Sequence, residues 1–322
     1  MEERIDHQHV YLLQCQLPSG TFRLSPTSDR INPYFTNLGL LALIELGDYE
    51  PVKQHLNWYM NHLSSDGYVN DYRLIKGQEI NTKSADSEDS YHATFFSLLL
   101  AYIQLTEEIE WLQSVRDTLL RIYYALVELQ QKDGLTWAKH SYKVKYLMDN
   151  CEVYQGLVDA SELFAILGET HIAEEAQARA KASQTGIQGM YNPSKRTFAM
   201  YDSTYPVWSK WYPDATSQMF PIVYHLIAPD SKEATYLYQQ LTTHFPRFDE
   251  FETGDPYPWM FIGLAAAQMN DWERVRRMLN QAWEQYIQGP KKPYWLLHES
   301  GRYIQLALAL LAHDSISSFE RK

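Results

Sequence analysis

Hydrophobic positions recur with the 3.6-residue period of an α-helix along most of the chain, and no stretch shows sustained strand alternation. Glycine and proline breaks such as Gly47-Asp48, Asp133-Gly134 and Gly254-Asp255-Pro256 separate the periodic segments. The pattern predicts helices over residues 5–16, 32–46, 50–63, 89–106, 108–131, 151–168, 171–189, 213–227, 231–244, 256–269, 271–287 and 298–312. Short β pieces are expected at 68–74 and 196–202.

The links between these helices alternate in length. Short links are expected at 47–49, 107, 169–170, 228–230 and 270, and long links at 64–88, 132–150, 190–212, 245–255 and 288–297. Short links join antiparallel neighbours, so each long link must return to the start of the next hairpin. The pattern predicts an all-α fold, an (α/α)6 toroid of six helical hairpins, in a single domain over 1–322. A helical solenoid is disfavoured because no fixed-period repeat is evident.

Charge and composition narrow the class of protein. The net charge of −12 argues against nucleic acid or an anionic membrane as the main partner. No apolar run is long enough to span a membrane, and the charged N-terminus does not resemble a secretory signal. Cys15 and Cys151 form no disulfide framework. We therefore expect a cytoplasmic protein, and nothing in the sequence indicates its oligomeric state.

Acidic and aromatic residues are concentrated in the long links. Each long link ends in an acidic residue near the next helix start, where Asp is also a favoured N-cap. In a toroid, these helix starts surround one mouth. Aromatic rings stack on sugar faces and carboxylates bind sugar hydroxyls, so we expect a carbohydrate substrate. The substrate-binding candidates are Tyr72, Asp86, Tyr146, Glu152, Trp208, Trp211, Tyr212, Trp259, His298 and Glu299.

The densest acidic stretch is Asp86-Ser87-Glu88-Asp89, directly before an apolar helix. Carboxylates at a helix N-terminus interact favourably with the free N–H groups, so the stretch is consistent with simple capping. It is also consistent with Asp89 acting as a catalytic acid or base. Glycosidic bond cleavage needs two carboxylates roughly 5–10 Å apart with different pKa values.

Other chemistries have less support. The chain has no glycine-rich phosphate loop and no nucleophile elbow. Asp89 and His92 lack the His-Glu-x-x-His context of a zinc site, and we predict no metal and no cofactor. Two alternatives stay open. One is a sugar 2-epimerase that uses paired histidines from among His92, His140 and His298, and the other is a non-catalytic glycan-binding protein.

Three segments resemble known enzymes. The run Asp89-Ser90-Tyr91-His92-Ala93-Thr94-Phe95-Phe96 resembles the helix-start aspartate segment of six-hairpin glycosidases, which share an (α/α)6 barrel. Leu147-Met148-Asp149-Asn150 resembles the second aspartate segment of the unsaturated glucuronyl hydrolases in that superfamily. Ser217-Gln218-Met219-Phe220-Pro221-Ile222 is similar to their later Gln-aromatic helix start. The Asp86–Asp89 stretch more weakly resembles family 8 glycoside hydrolases.

The resemblance implies a catalytic pair, Asp89 and Asp149. Among the acidic residues of the links, Asp214 is a further catalytic candidate, and Asp214, Glu152 and Asp86 would act as the second carboxylate or set the pKa of the pair. In the glucuronyl hydrolases, one aspartate donates a proton across a 4,5-double bond of an unsaturated uronic sugar, and water is added. We therefore expect an enzyme that cleaves or hydrates a linkage of an acidic or neutral oligosaccharide. An acidic sugar would need a nearby cation, for which the candidates are Arg73, Lys143, Lys145, Lys210 and Arg302.

Overall fold

The computed structural model describes residues 1–319, and helices account for most of them. Thirteen α-helices are present in this range. They are α1 Glu2–Cys15, α2 Pro33–Glu45, α3 Glu50–Asn61, α4 Glu88–Thr106, α5 Ile109–Ser114, α6 Arg116–Leu129, α7 Leu147–Ile166, α8 Thr170–Met190, α9 Phe220–Val223, α10 Lys232–His244, α11 Phe261–Gln268, α12 Trp272–Ala282 and α13 Leu297–Phe319. None of these helices has the length and apolar character needed to cross a bilayer.

Six of the helices form a closed inner ring. Going round the ring, α2 packs on α4, α4 on α7, α7 on α9, α9 on α11 and α11 on α13. The ring closes because α13 packs back on α2. Outside it, α1 packs on α13, α3 on α2 and α4, α6 on α4, α8 on α7, and α12 on α11 and α13. This arrangement confirms the predicted (α/α)6 toroid.

All the long links lie at one end of the ring. Each inner helix is entered through a long link, and the five that precede α13 are left through a shorter one, such as 46–49 after α2 and 167–169 after α7. The inner helices therefore begin at the same end, which we call the long-link face. A sixth long link, residues 16–32 between α1 and α2, joins the five predicted ones. The positive ends of the inner helix dipoles point toward this face.

The long links carry two small antiparallel sheets. In the first, β1 Arg30–Ile31, β2 Tyr72–Ile75 and β3 Gln78–Asn81 pair in that order, with Ile31 opposite Tyr72 and Arg73 opposite Ile80. In the second, β4 Tyr191–Asn192 pairs with β5 Thr197–Phe198. The β pieces predicted at 68–74 and 196–202 are therefore shorter and partly displaced, because tight turns rather than long runs define these hairpins.

Helix α7 begins at Leu147, one turn before the predicted start at 151. Leu147 is fully buried, and its N–H donates to the Met200 carbonyl. The side chain of buried Asn150 donates to the Tyr146 carbonyl and accepts from the Thr136 N–H. The polar pair Asp149-Asn150 looked like the end of a link, yet it forms the first turn of the helix.

Other predicted helices are interrupted. The segment predicted as a helix over 213–227 is a π-type turn at Trp211–Ala215 followed by the four-residue α9. Pro213 and Pro221 lack the N–H groups that a continuous helix needs. The helix predicted over 108–131 divides at Val115 into α5 and α6. The one predicted over 271–287 ends as α12 at Ala282 and continues as a π-type turn.

Candidate active site

Asp89 lies in the first turn of α4, fully buried at the long-link face. Its Oδ1 accepts from the Ser87 hydroxyl at 2.5 Å and from the Ser90 N–H at 2.8 Å. Its Oδ2 accepts from the Thr136 hydroxyl at 2.6 Å. Burial raises the pKa of Asp89 to about 6, against the opposing effect of these donors. Both oxygens are occupied, so this carboxylate is held in place by the fold.

Asp149 lies in the first turn of α7 and is only half buried. Its Oδ2 is 3.1 Å from the same Ser87 hydroxyl. Burial, followed by the negative charges of Asp89 and Glu152, raises the pKa of Asp149 well above its ordinary value. The structure therefore brings the two aspartates named from the sequence together, on either side of one serine.

The shared hydroxyl constrains the protonation of the pair. A serine hydroxyl carries one hydrogen, so Ser87 can donate to only one of two charged carboxylates. The shorter contact assigns that hydrogen to Asp89. The contact to Asp149 is then favourable when the Asp149 carboxyl is protonated and donates to Ser87 Oγ. The geometry thus favours a protonated Asp149 next to an ionised or proton-sharing Asp89.

Glu152 lies one helical turn after Asp149 on α7 and is 4% exposed. Its Oε1 accepts from the Tyr34 hydroxyl at 2.7 Å and, more weakly, from the Tyr224 hydroxyl at 3.5 Å. Burial raises the pKa of Glu152 to about 7, while the Tyr34 hydrogen bond lowers it. Glu152 therefore forms the boundary between the carboxylates at the mouth and the interior of the ring.

Protonation of Glu152 should make the folded state depend on pH. Its folded-state pKa of about 7 exceeds its ordinary value of 4.5, so the folded state holds the proton more tightly. This stability is fully present below about pH 4.5 and is lost as the pH rises through 7. Because each tenfold change in proton affinity is worth about 1.4 kcal/mol, the loss is roughly 3 kcal/mol.

Urea unfolding at pH 4.5 and pH 8 checks this expectation. Glu152→Gln should remove this contribution and leave the loss that the raised pKa values of Asp89 and Asp149 cause, whereas Glu174→Gln, on the exposed side of α8, should leave the whole loss unchanged. Equal pH slopes for the wild type and Glu152→Gln would contradict the buried-carboxyl interpretation.

Aromatic side chains border the carboxylates. The Tyr212 ring stacks on the Trp259 ring, with centroids 5.1 Å apart, and Tyr212 is 50% exposed. Burial and then the charges of Asp149 and Asp86 raise the pKa of Tyr212. Burial, then Tyr142, whose hydroxyl is 3.2 Å from that of Tyr146, and then the Asp149 charge raise the pKa of Tyr146. Exposed Asp86 adds to the negative charge that acts on Asp149.

The remaining predicted site residues lie elsewhere. Tyr72 is buried against Trp58 and His62, and its hydroxyl accepts from Asn81. Trp208 stacks on His244 at 5.9 Å. Trp211 is buried against two phenylalanines, Phe245 and Phe248.

Asp214 is buried in the π-type turn, and its Oδ2 accepts from the Val207 N–H at 2.9 Å. The contacts of Trp208, Trp211 and Asp214 hold the link 191–219 in place.

His298 and Glu299 begin α13, across the ring from α7. The His298 ring stacks on Phe35, with centroids 4.1 Å apart, and its Nε2 is 3.4 Å from Glu299 Oε1. Glu299 Oε2 accepts from the Met260 N–H at 2.8 Å. The other two histidines considered for an epimerase are on different elements. Both ring nitrogens of buried His92 contact backbone carbonyls, and His140 contacts Glu88.

The sequence did not single out several residues that organise the site. Asn32 donates to Asp71 Oδ1 at 3.0 Å and to the Tyr91 hydroxyl at 2.6 Å, and Tyr91 in turn donates to Asp71. The Tyr34 ring stacks on Tyr91 with centroids 5.9 Å apart. These residues lie at the starts of inner helices or in long links. Because a toroid brings those positions together at one end, their place in the sequence could have identified them.

Solved structures share this fold at low sequence identity. A glycosidase variant in complex with glucose is 13% identical, with a TM-score of 0.73 and 96% of each chain covered. A metal-independent α-mannosidase from Streptococcus pneumoniae is 11% identical, with a TM-score of 0.72 over 96% of this chain and 93% of that one. A rhamnosidase from Klebsiella oxytoca is 14% identical, with a TM-score of 0.64 over 87% of this chain and 53% of that one.

Sequence comparisons found no match, either to a protein-family profile or to a curated protein sequence. At these identities, the structural likeness concerns the fold, and it agrees with the helical ring described above. The chain therefore shares its (α/α)6 ring fold with solved structures of glycosidases.

Proposed function

We propose that the protein is a glycoside hydrolase-type enzyme that acts on an oligosaccharide, with Asp149 as the proton donor. The observation that carries this proposal is the single hydroxyl of Ser87 between the carboxyl groups of Asp89 and Asp149. An acid that donates to a glycosidic oxygen must hold its proton near neutral pH. Asp149 meets this need because it is half buried and close to other carboxylates.

In this proposal, Asp89 acts through Asp149 and does not touch the sugar. Its side chain is fully buried, and both of its oxygens accept hydrogen bonds from the protein. A nucleophile must reach the anomeric carbon, which Asp89 cannot do from this position. The negative charge of Asp89, together with the Ser87 hydroxyl between the two carboxyl groups, keeps the proton on Asp149.

We assign the activation of water to Glu299. It lies in the first turn of α13, the inner helix opposite α7 in the ring, at the same end of the ring as Asp149. Its carboxylate is oriented by the Met260 N–H. An acid and a base on opposite sides of the sugar are what an inverting hydrolysis requires. Glu299→Gln should therefore lower kcat and leave KM nearly unchanged, as measured by steady-state kinetics.

This proposal gives Asp214 no catalytic part, because Asp214 lies in the π-type turn 211–215 and not in the first turn of an inner helix.

The charges at the site support a neutral sugar better than a uronate. Arg73 pairs with Asp29, Lys145 pairs with Asp133, and Lys143 lies over the Trp137 ring. Arg302 lies deeper, inside the ring. Of the five cations named from the sequence, Lys210 alone has no side-chain partner among residues 1–319. Comparing neutral oligosaccharides with their uronate-terminated counterparts tests this preference, and faster turnover of the uronates would contradict it.

Stacking on the Tyr212–Trp259 pair should contribute to substrate binding. Tyr212→Ala is expected to raise KM up to about tenfold with little change in kcat, since an aromatic contact is worth about 0.5–1.5 kcal/mol. Tyr212→Phe should restore binding because the ring is retained. Tyr124→Ala removes an exposed ring on the outer helix α6 and serves as the control. An unchanged KM in Tyr212→Ala would show that the sugar does not stack there.

The central test is product analysis after incubation with a panel of neutral oligosaccharides. The wild type should release sugars, and Asp149→Asn should release at least about a hundredfold less in the same time. An activity that survives Asp149→Asn unchanged would overturn the assignment of the proton donor. Interconversion of free monosaccharides without hydrolysis would instead support the epimerase, and binding without turnover would support a glycan-binding protein.

A further inference from the structure

A cavity of about 360 Å³ lies inside the inner ring, beyond Glu152 as seen from the long-link face. All six inner helices contribute to the lining of this cavity, including α2 with Leu41, α4 with Ser97, α7 with Gln155 and α11 with Ala267. Leu41 and Ala267 lie in the later part of their helices, toward the short links. We call this space the lumen cavity. Its volume falls within the range of about 300–1,000 Å³ that is usual for small-molecule sites.

One polar group of the lining lacks the partner that burial normally demands, and a cation of the lining has no ion-pair partner. Gln268 Oε1 is buried and accepts no hydrogen bond, although the Nε2 of the same side chain donates to the Val223 carbonyl. Arg302 is 8% exposed, and its side chain forms one hydrogen bond, to the neutral Gln305. No carboxylate among residues 1–319 lies within ion-pair distance of it. Arg302 also lies over the Phe261 ring, 5.8 Å from its centroid. Buried polar groups are nearly always satisfied, so the unpaired Gln268 Oε1 indicates a polar occupant, to which Arg302 can donate.

The lining also indicates which chemistry the occupant has. Gln268 Oε1 and the Glu152 carboxyl can accept hydrogen bonds, while Arg302 can donate them. Leu38, Leu41 and Leu264 supply an apolar wall. A molecule whose groups both donate and accept, with C–H faces between them, fits this mixture. A carboxylate is less suitable because the acidic Glu152 lies in the same lining.

We propose that the lumen cavity binds a neutral monosaccharide, or a polyol of that size, at a site separate from the mouth that holds Asp149. The hydrogen bonds of Glu152 with Tyr34 and Tyr224 form the partition between the two sites. Sugar hydroxyls donate to Gln268 Oε1 and accept from Arg302, and the ring packs on the leucines. This site stands independently of the proposed hydrolase activity, because it requires binding only.

Calorimetric titration of the full chain with D-glucose, D-mannose and D-galactose tests the proposal. We expect saturable binding of at least one of them with Kd about 1–10 mM, as suits so small a ligand. Ala267→Leu fills the cavity, and Gln268→Met removes the unpaired acceptor. Each should weaken binding at least tenfold while circular dichroism and thermal melting confirm the fold. Tyr212→Ala, at the mouth, should leave this binding unchanged.

Each other outcome contradicts a definite part of the proposal. No saturable binding of any of the three sugars overturns it. Binding that is lost in Tyr212→Ala and kept in Ala267→Leu and Gln268→Met places the sugar at the mouth and also overturns it. Binding of D-glucuronate as tight as that of D-glucose overturns the neutral character of the site. The proposed hydrolase is judged separately by Asp149→Asn, so the two proposals can fail independently.

Discussion

Asp149→Asn should reduce oligosaccharide hydrolysis by about 10²–10⁴-fold in kcat, the usual contribution of a positioned general acid. The physical reason is the position of its carboxyl group, which shares the Ser87 hydroxyl with Asp89 and is surrounded by negative charge. Asparagine preserves the size of the side chain but has no acidic proton to donate. Initial rates on an active substrate measure the loss directly.

A matched substitution distinguishes the loss of the proton donor from the loss of one negative charge on the protein. Asp230→Asn makes the same chemical change at an exposed position between α9 and α10, at the opposite end of the ring. It should leave kcat and KM unchanged. An equal loss of rate in both variants would mean that Asp149 acts only through the net charge of the protein, which would contradict its role as the proton donor.

Gly301→Ala should destabilise the protein by about 1–3 kcal/mol or more, because it separates the two helices that close the ring. A Cβ atom at Gly301 would lie 2.5 Å from the Gly39 carbonyl oxygen and 2.8 Å from the Gly39 Cα. Gly39 belongs to α2 and Gly301 to α13, and both atoms are backbone, so relief requires the helices to move apart. Urea unfolding monitored by circular dichroism gives the change in the free energy of unfolding.

A second glycine provides a control in which the same substitution should raise the stability. A Cβ atom at Gly189, near the end of α8, would meet no atom within 4 Å. Gly189→Ala should therefore raise the stability by up to about 1 kcal/mol, since alanine is the better helix former. If Gly301→Ala were as stable as Gly189→Ala, the close contact of α2 with α13 would not be what closes the ring.

The sequence pattern was sufficient to predict the ring, and it failed where local chemistry interrupts a helix. Link length is a local property that can be read from glycines and prolines, so the alternation of short and long links identified the toroid. The segment around Pro213 and Pro221 kept an apolar period and was predicted as one helix. The missing N–H groups break it, and tertiary packing then decides the path of the chain.

Part of the site could also be predicted, because helix starts can be recognised from the local sequence. Asp89 and Asp149 each lie at a helix start, and a toroid brings those starts together. The contact that joins them connects Ser87 and Asp149, which are 62 positions apart, so no local pattern could reveal it. The burial of Tyr72, Trp211 and Asp214 was equally hidden, because an aromatic or acidic residue in a link looks the same in sequence whether it lines a mouth or holds the link.

The proposed coupling of Asp89 to Asp149 is tested most directly by the pH dependence of kcat/KM. In the wild type, activity should fall on the basic side as Asp149 loses its proton. Burial raises the Asp149 pKa most, and the Asp89 charge comes next. Asp89→Asn removes that charge, so this basic limb should move to lower pH. Asp159→Asn, a buried carboxylate further along α7, is the control that should leave the limb in place. A basic limb that stays unchanged in Asp89→Asn would contradict the coupled pair.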